Sequence, residues 1–341
     1  MQEKLAARGE PKFRAGQVWD WAARGAGGYE QMTNLPAALR EDLAGEVPFS
    51  SLAVDREAHS RDGTEKALFH TADGRPLEAV LMRYRDGRRS VCVSSQSGCP
   101  LTCTFCATGR MKFGRNLTTS EILDQALHFR RKDELSNVIF MGMGEPLMNV
   151  ESVLAACERL PDLGVTHRRT AISTVGWIPG IERMTEEGPP VRLALSLHAA
   201  DESLRSELMP VNDRFALPDV LDACRRWHEA RRMQVFVEYL MLDGVNDRYE
   251  QAVALAKALD PVSAFKVNLI PYNPTPGGFQ GSTRAAIDAF KATLEERGVR
   301  ATVRLTRGRD IDAACGQLAA SAAGTAAGAG APASAPALPQ A

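Results

Sequence analysis

The apolar positions of most of the chain fall into short continuous runs separated by longer stretches with helical spacing. Six apolar runs follow residue 88, at 89–95, 137–141, 170–174, 192–197, 234–241 and 265–270. Stretches with apolar residues every three or four positions separate them, near 119–132, 149–160, 177–187, 217–232, 247–259 and 283–297. Such alternation is typical of parallel strands joined by helical crossovers. The pattern therefore predicts an α/β fold with about six parallel strands in a sheet that is open or rolled into a barrel.

The first part of the chain follows two other patterns. Between about 11 and 48 the spacing is helical, with Leu35, Leu39 and Leu43 on one face of a predicted helix. The period then shortens, and two Asp-Gly pairs mark tight turns between strands predicted at 66–72, 76–84 and 89–95. A small helical domain and a β-hairpin extension are thus expected before the parallel sheet.

Five segments follow from these patterns. The last one has no charged residue and is dominated by Ala, Gly and Pro, so we expect it to be disordered. The segments are an N-terminal helical accessory domain at 1–50, a β-extension at 51–90, a core at 91–310, a C-terminal loop at 311–318 and a tail at 319–341.

Composition restricts the class of protein. The chain is 44% hydrophobic and 24% charged, as is ordinary for a globular protein. It contains no apolar stretch long enough to span a membrane and no apolar centre of a signal peptide near its start, so we expect a cytoplasmic protein. With a net charge of −1, any nucleic acid must bind to local basic clusters. Candidate clusters are Arg83/Arg85/Arg88/Arg89, Arg110/Lys112/Arg115, Arg168/Arg169 and Arg304/Arg307/Arg309.

The cysteines indicate metal chemistry. There are seven, an odd number that argues against a disulfide framework. Cys99, Cys103 and Cys106 form a C-x-x-x-C-x-x-C motif, and three thiolates on one loop can hold three irons of a 4Fe-4S cluster with the fourth iron open. A structural zinc site, which normally has four closed ligands, and inert buried thiols are the alternatives. Cys157 and Cys224 lie within predicted helices and are expected to be core residues.

Two motifs together resemble the signature of the radical S-adenosylmethionine superfamily. They are CPLTCTFC, with Phe105 before its last cysteine, and GMGEP at 142–146. The resemblance implies a partial (βα)6 TIM-like barrel, one 4Fe-4S cluster and S-adenosylmethionine. With STVG, SLH and PYNP, these motifs follow the carboxyl ends of predicted strands, where barrel enzymes build their sites.

A more specific resemblance covers residues from about 11 to 318. SVCVSSQSGC, CTFCATG, GMGEPLMN, EYLMLDGVND, NLIPYNP and RGRDIDAACGQL occur in the order found in the RlmN family of RNA adenine methyltransferases. The resemblance implies methylation of adenine carbon 2 in 23S rRNA and tRNA. That carbon is electron-poor and cannot attack a methyl sulfonium, so a radical route is needed.

The same resemblance assigns roles to individual residues. Cys315 would carry the methyl group as S-methylcysteine, Cys92 would resolve the RNA adduct through a transient disulfide with Cys315, and Glu78 would be the proton acceptor. Two molecules of S-adenosylmethionine would be used per turnover. Residues implied to contact this ligand are Gly144, Glu145, Ser173, Ser196, Leu197, His198 and Asn273.

Other interpretations stay open at this point. A Cfr-type enzyme would use the same residues to methylate carbon 8, whereas a radical activase of another protein would not need Cys92 and Cys315. A non-catalytic cluster protein for RNA binding or electron transfer is the third alternative. For the RlmN-like reading we expect 23S rRNA and tRNA as partners, a reduced flavodoxin- or ferredoxin-type electron donor, and a monomer.

Overall fold

A ten-stranded mixed sheet dominates the computed structural model, which describes residues 1–320. The strands, including two short ones that form a separate pair, are β1 (Leu52–His59), β2 (Glu65–Thr71), β3 (Pro76–Arg83), β4 (Arg89–Cys92), β5 (Gln96–Ser97), β6 (Arg115–Asn116), β7 (Asn137–Phe140), β8 (Thr170–Thr174), β9 (Arg192–Ser196), β10 (Val235–Met241), β11 (Phe265–Pro271) and β12 (Ala301–Val303). The order in the large sheet is β1-β2-β3-β4-β7-β8-β9-β10-β11-β12. Within the described residues its two edge strands do not pair, so the sheet forms an open, partial barrel.

The direction of the strands divides the sheet into two parts. From β4 to β12 all neighbouring strands are parallel, whereas β1 to β4 are joined antiparallel. The predicted α/β class, the partial barrel and the hairpin extension are therefore confirmed. The parallel part has one strand more than predicted, because β12 has only three residues and no distinctive apolar run.

The helices lie close to their predicted positions. They are α1 (Gln2–Ala7), α2 (Phe13–Ala23), α3 (Ala37–Glu46), α4 (Thr119–Arg130), α5 (Val150–Arg159), α6 (Ile178–Glu187), α7 (Glu202–Leu208), α8 (Leu217–Arg231), α9 (Tyr249–Ala258) and α10 (Arg284–Glu296). Local sequence explains where several begin. Helix α4, for example, starts with a capping box in which Thr118 and Glu121 satisfy each other's backbone N–H groups.

The N-terminal helices have a core of their own. Leu35, Leu39 and Leu43 are all buried there, as their spacing indicated. The unit is tied to the barrel by polar contacts, such as the 2.6 Å hydrogen bond from Trp19 Nε1 to Asp162. Cys157 and Cys224 are fully buried in the main core, which confirms their expected place.

The proposed segment limits stay predictions. Most of the predicted disordered tail lies outside the described residues, and only Ala319 and Ala320 can be placed. Of the helices between residues 1 and 320, none has the length and apolar character that crossing a membrane requires.

Candidate active site

The barrel interior contains a cavity of about 170 Å³ at the carboxyl ends of the parallel strands. Most of the residues singled out from the sequence meet here, although they come from six separate segments of the chain. Those that line the cavity are Cys92, Cys99, Cys103, Cys106, Gly144, Glu145, Ser173, Ser196, His198 and Cys315. Glu78, Leu197 and Asn273 do not line it.

The three cysteines of the C-x-x-x-C-x-x-C loop are free and half-buried. Their loop is held in place by backbone bonds, including Thr104 N to Leu208 O at 3.0 Å and Ala107 N to Gly316 O at 2.8 Å. Burial, followed by the charges of Cys106 and Glu145, raises the pKa of Cys103 to about 12. The thiol of Cys103 therefore needs a bound cation before it ionises at neutral pH.

This donor set fits a 4Fe-4S cluster. Three thiols from one loop face one largely apolar cavity, and a cluster with three protein ligands keeps one iron for a further ligand. Within residues 1–320, no three His, Cys, Asp or Glu side chains converge on a point as ligands of a single metal ion do. In a cluster each thiolate binds its own iron, so such convergence is not required.

The Gly-Glu pair after β7 presents a buried carboxylate to the same cavity. Gly144 has a φ of 97°, and a Cβ atom there would lie 2.5 Å from the Cβ of Gln96, so only glycine fits. Glu145 is 2% exposed and accepts hydrogen bonds from the N–H groups of Leu147 and Val175. Burial outweighs these bonds and raises the pKa of Glu145 to about 7.

Glu145 thus fits a cationic ligand. It forms no ion pair with any described residue, although a buried carboxylate is stable as an anion only beside a positive charge. The ammonium group of a methionine moiety would supply that charge. The contact between Glu145 and S-adenosylmethionine that the family resemblance implies stays a prediction.

Two serines and a histidine line the same cavity as Glu145. Ser173 Oγ and Ser196 Oγ lie 3.2 Å apart on neighbouring strands. His198 has a φ of 58°, and its Nδ1 accepts a hydrogen bond from the N–H of Leu240. Burial, with a smaller contribution from Arg205, lowers the pKa of His198 to about 3. The ring is therefore neutral, and Nε2 is left as its N–H donor.

Leu197 and Asn273 are buried next to residues of the cavity but do not line it. Leu197 is fully buried, and its N–H donates to Glu238 O at 3.1 Å. Asn273 is 2% exposed; its Nδ2 donates to the carbonyl of Cys315 at 3.2 Å, while its buried Oδ1 has no partner among the described residues. Asn273 thus positions the Cys315 loop, and direct ligand contact by both residues stays a prediction.

Cys92 and Cys315 line the same cavity although they are 223 positions apart in the sequence. Cys92 ends β4, and Cys315 lies in the C-terminal loop. Burial, together with the charge of Cys315, raises the pKa of Cys92 to about 12. Burial likewise raises the pKa of Cys315, while Arg304 counteracts this increase. Both thiols are free.

Glu78 lies beside the cavity without lining it. Its carboxylate is 3.0 Å from Lys66 Nζ and accepts from the N–H groups of Ala319 and Ala320 at 3.0 and 3.1 Å. It lies on the same face of β3 as Val80, which does line the cavity. The role of Glu78 as proton acceptor therefore stays a prediction that requires residues 319–320 to move.

One buried ion pair in the cavity that contains Cys92 and Cys315 was not predicted from the sequence. Glu238 is 3% exposed, lies 3.6 Å from Arg304 and accepts a 2.8 Å hydrogen bond from Asn268. The signal was available, because Glu238 is the one charged residue in the apolar run 234–241. A charge in a buried parallel strand indicates a paired or functional group.

Comparison with known proteins shows what this chain is similar to. A family model described as "Radical SAM superfamily" matches residues 93–256, and one described as "Ribosomal RNA large subunit methyltransferase N-terminal domain" matches residues 1–47. A "Probable dual-specificity RNA methyltransferase RlmN" from Moorella thermoacetica is 46% identical, covering 93% of this chain and 94% of that protein. A protein of the same name from Thermus thermophilus is 44% identical, covering 94% of this chain and 91% of that protein.

A solved structure is also similar. The crystal structure of a radical SAM methyltransferase from Sphaerobacter thermophilus has a TM-score of 0.89 and 43% identity, covering 94% of this chain and 96% of that one. Identity of this order over nearly the whole length identifies the family. The chain belongs to the RlmN family of radical S-adenosylmethionine enzymes, which use a 4Fe-4S cluster and S-adenosylmethionine as cofactors.

Proposed function

We propose that this protein methylates carbon 2 of adenosine in 23S rRNA and in tRNA. The observation that carries the proposal is the meeting of Cys92 and Cys315 in the cavity that the three cluster cysteines also line. A radical activase needs the cluster but has no use for two further thiols beside it. The names of the relatives, dual-specificity RNA methyltransferases, support RNA as the substrate.

The chemistry follows from the positions of the two thiols. When bound, the cofactors supply the methyl group of Cys315 and the 5′-deoxyadenosyl radical. The S-methyl group of Cys315 would give a hydrogen atom to that radical, and its carbon would then form a bond to carbon 2 of adenine. Cys315 is therefore the methyl carrier.

Release requires the second thiol. Cys92 attacks the sulfur of Cys315, so an S–S bond forms as the bond between sulfur and the transferred carbon breaks. The ring proton passes to Glu78, the thiol proton of Cys92 passes to the methylene carbon, and a bound cluster would accept the one electron that is released. A thiol reductant then regenerates both cysteines.

The protein environment suits these steps. Asn273 and the Ala107–Gly316 backbone bond hold the Cys315 loop against the cluster loop. The largely apolar walls protect a carbon radical from water. Glu78 becomes available when the N–H groups of Ala319 and Ala320 release its carboxylate.

Isotope-labelled S-adenosylmethionine tests this proposal. Anaerobically reconstituted protein is given reductant, S-adenosylmethionine with a CD₃ methyl group, and either a 23S rRNA fragment or tRNA. We expect 2-methyladenosine with two deuterium atoms, and 5′-deoxyadenosine with one. Transfer of intact CD₃ would contradict the mechanism, and 8-methyladenosine would identify the Cfr-type alternative. Deoxyadenosine without any methylated nucleoside would favour the radical activase, and no deoxyadenosine at all would favour the non-catalytic cluster protein.

We also place the enzyme in the cytoplasm as a monomer, supplied with electrons by a reduced flavodoxin or ferredoxin. Its substrates and iron-sulfur chemistry support that compartment. Size-exclusion chromatography with light scattering tests the monomer, and turnover with each reduced donor in place of dithionite tests the electron source.

A further inference from the structure

The cavity that holds the cysteines is only the upper part of the barrel interior. A second cavity, of about 620 Å³, lies toward the amino-terminal ends of the same strands, and we call it the lower lumen. Side chains alternate along a strand, so residues two apart face the same side. On β9, Ser196 lines the upper cavity, while Ala194 and Arg192 line the lower lumen.

The two cavities adjoin each other. Met141, Glu238 and Arg304 line both, and they separate the apolar upper part from the polar lower lumen. TIM barrels normally fill this space with layers of bulky side chains. Here the two adjoining cavities together extend from the amino-terminal ends of the strands to the level of Cys92 and Cys315.

The mouth of the lower lumen is strongly basic. Arg168 and Arg169 precede β8, Arg192 begins β9, and Lys266 is the second residue of β11. The three arginines are exposed, and within residues 1–320 none of the four cations forms an ion pair. We call these four residues the basic rim. Among the described residues, Glu238 is the only carboxylate that lines the lower lumen, and it lies at the inner end beside Arg304.

Several other basic residues are neutralised by carboxylates. Arg115, a candidate from the sequence, donates to both Asp73 and Glu121 at 2.6 and 2.7 Å. Arg83 does the same with Glu65 and Asp133, both at 2.7 Å. Such cations are already paired, whereas the basic rim keeps its charge for a polyanion.

The change from a basic rim to an apolar upper cavity corresponds to the two ends of one nucleotide, its phosphate and its base. A phosphate fits the basic rim and a base fits the apolar upper cavity. The four-residue step from Arg192 to Ser196 spans about 13 Å at the usual strand rise, roughly the reach from a phosphate to the far edge of its base. Between them, Phe236 offers a ring with the Arg192 guanidinium 5.5 Å from its centroid, an arrangement suited to stacking a base.

We infer that the basic rim binds backbone phosphates of the RNA substrate and that the target nucleotide reaches Cys315 through the lower lumen, from the amino-terminal ends of the strands. This inference rests on the proposed function. It also requires the adenosine to be splayed out of its stack, as in other enzymes that modify bases.

Salt-dependent binding tests the rim. The variant Arg168→Ala/Arg169→Ala/Arg192→Ala/Lys266→Ala is compared with the wild type, using fluorescence anisotropy of a labelled RNA hairpin that contains the target adenosine. Loss of four phosphate contacts should reduce the slope of log Kobs against log salt by about 3, at about 0.7 per contact with a single strand. A control, Arg226→Ala/Arg284→Ala, removes cations from the outer faces of α8 and α10 and should keep the wild-type slope.

Cross-linking tests the route. Benzoylphenylalanine at Phe236 should photo-cross-link to the hairpin, whereas the same group at Tyr249, which is 58% exposed on α9, should not. An unchanged salt slope in the rim variant, or no cross-link at Phe236, overturns the inference. The wild type is assayed for methylation of the same hairpin in parallel. If it methylates the hairpin, an unchanged slope or a missing cross-link contradicts the inference and leaves the proposed function intact. Failure of the wild type to methylate RNA would instead contradict the proposed function.

Discussion

The buried carboxylate of Glu145 allows a quantitative prediction for the protein without cluster or ligand. Its pKa is raised from 4.5 to about 7 because the ionised form loses its hydration. Each pKa unit corresponds to 1.36 kcal/mol, so the ionised carboxylate costs the folded state about 3 kcal/mol well above pH 7. The folded protein binds more protons than the unfolded chain between these two pKa values. The free energy of unfolding should therefore fall as the pH rises through this window.

The substitution Glu145→Gln should remove this dependence of the free energy of unfolding on pH. The amide keeps one acceptor for the N–H of Leu147 or Val175, but turns a donor toward the other, at a cost of about 1–2 kcal/mol. At pH 5.5 the wild type has already lost part of its stability through Glu145, by about as much as the misdirected amide costs the variant. The two proteins should therefore be about equally stable at that pH. At pH 8 the variant should be more stable by about 2 kcal/mol.

Urea unfolding of apo-protein at pH 5.5 and pH 8 measures this difference. Glu229→Gln, on the exposed side of α8, is the control, and the difference between its stability and that of the wild type should be the same at both pH values. The same Glu145→Gln substitution should weaken binding of S-adenosylmethionine to the reconstituted enzyme by about tenfold or more, through loss of a charged hydrogen bond. A stability difference that does not vary with pH would refute the reasoning about Glu145.

Three further outcomes are expected. Cys103→Ala should abolish the iron content and the visible absorbance of the reconstituted cluster, and a variant that retains both would refute this ligand assignment. Asn273→Ala should slow methylation of Cys315 by about tenfold, because one buried hydrogen bond that positions the Cys315 loop is lost. Mass spectrometry of the peptide that contains Cys315 measures this rate. Arg205→Ala should destabilise the fold by about 3–5 kcal/mol in urea unfolding, because it unpairs buried carbonyls of Leu197 and Val175; a loss below 1 kcal/mol would contradict this.

The elements that the sequence predicts well are those with strong periodicity. Helix α8 was expected at 217–232 and spans Leu217–Arg231, because its apolar spacing is unbroken. Strand β1 was missed because it is an edge strand whose sequence, LAVDREAH, is largely exposed and shows no apolar alternation. Helix α7 has seven residues, too few to establish a period.

The candidate site divides in the same way. Parallel strands bring their carboxyl ends together, so motifs that follow successive strands were expected to meet, and ten of the predicted residues line one cavity. The surroundings of Glu78 could not be anticipated, since its carboxylate is held by N–H groups 241 and 242 positions away. The Glu238–Arg304 pair depends on the curvature of the sheet, which no local pattern encodes.

The central claim is that Cys92 acts only after Cys315 has become bonded to RNA. Its most direct test is a denaturing gel of Cys92→Ala enzyme expressed in cells, run with and without ribonuclease. The variant should bind its cluster, methylate Cys315 and accumulate as a ribonuclease-sensitive adduct linked to RNA through Cys315. The double variant Cys92→Ala/Cys315→Ala lacks the methyl carrier and should give no adduct. A Cys92→Ala enzyme that shows no nuclease-sensitive shift while still methylating Cys315 would contradict the two-cysteine mechanism.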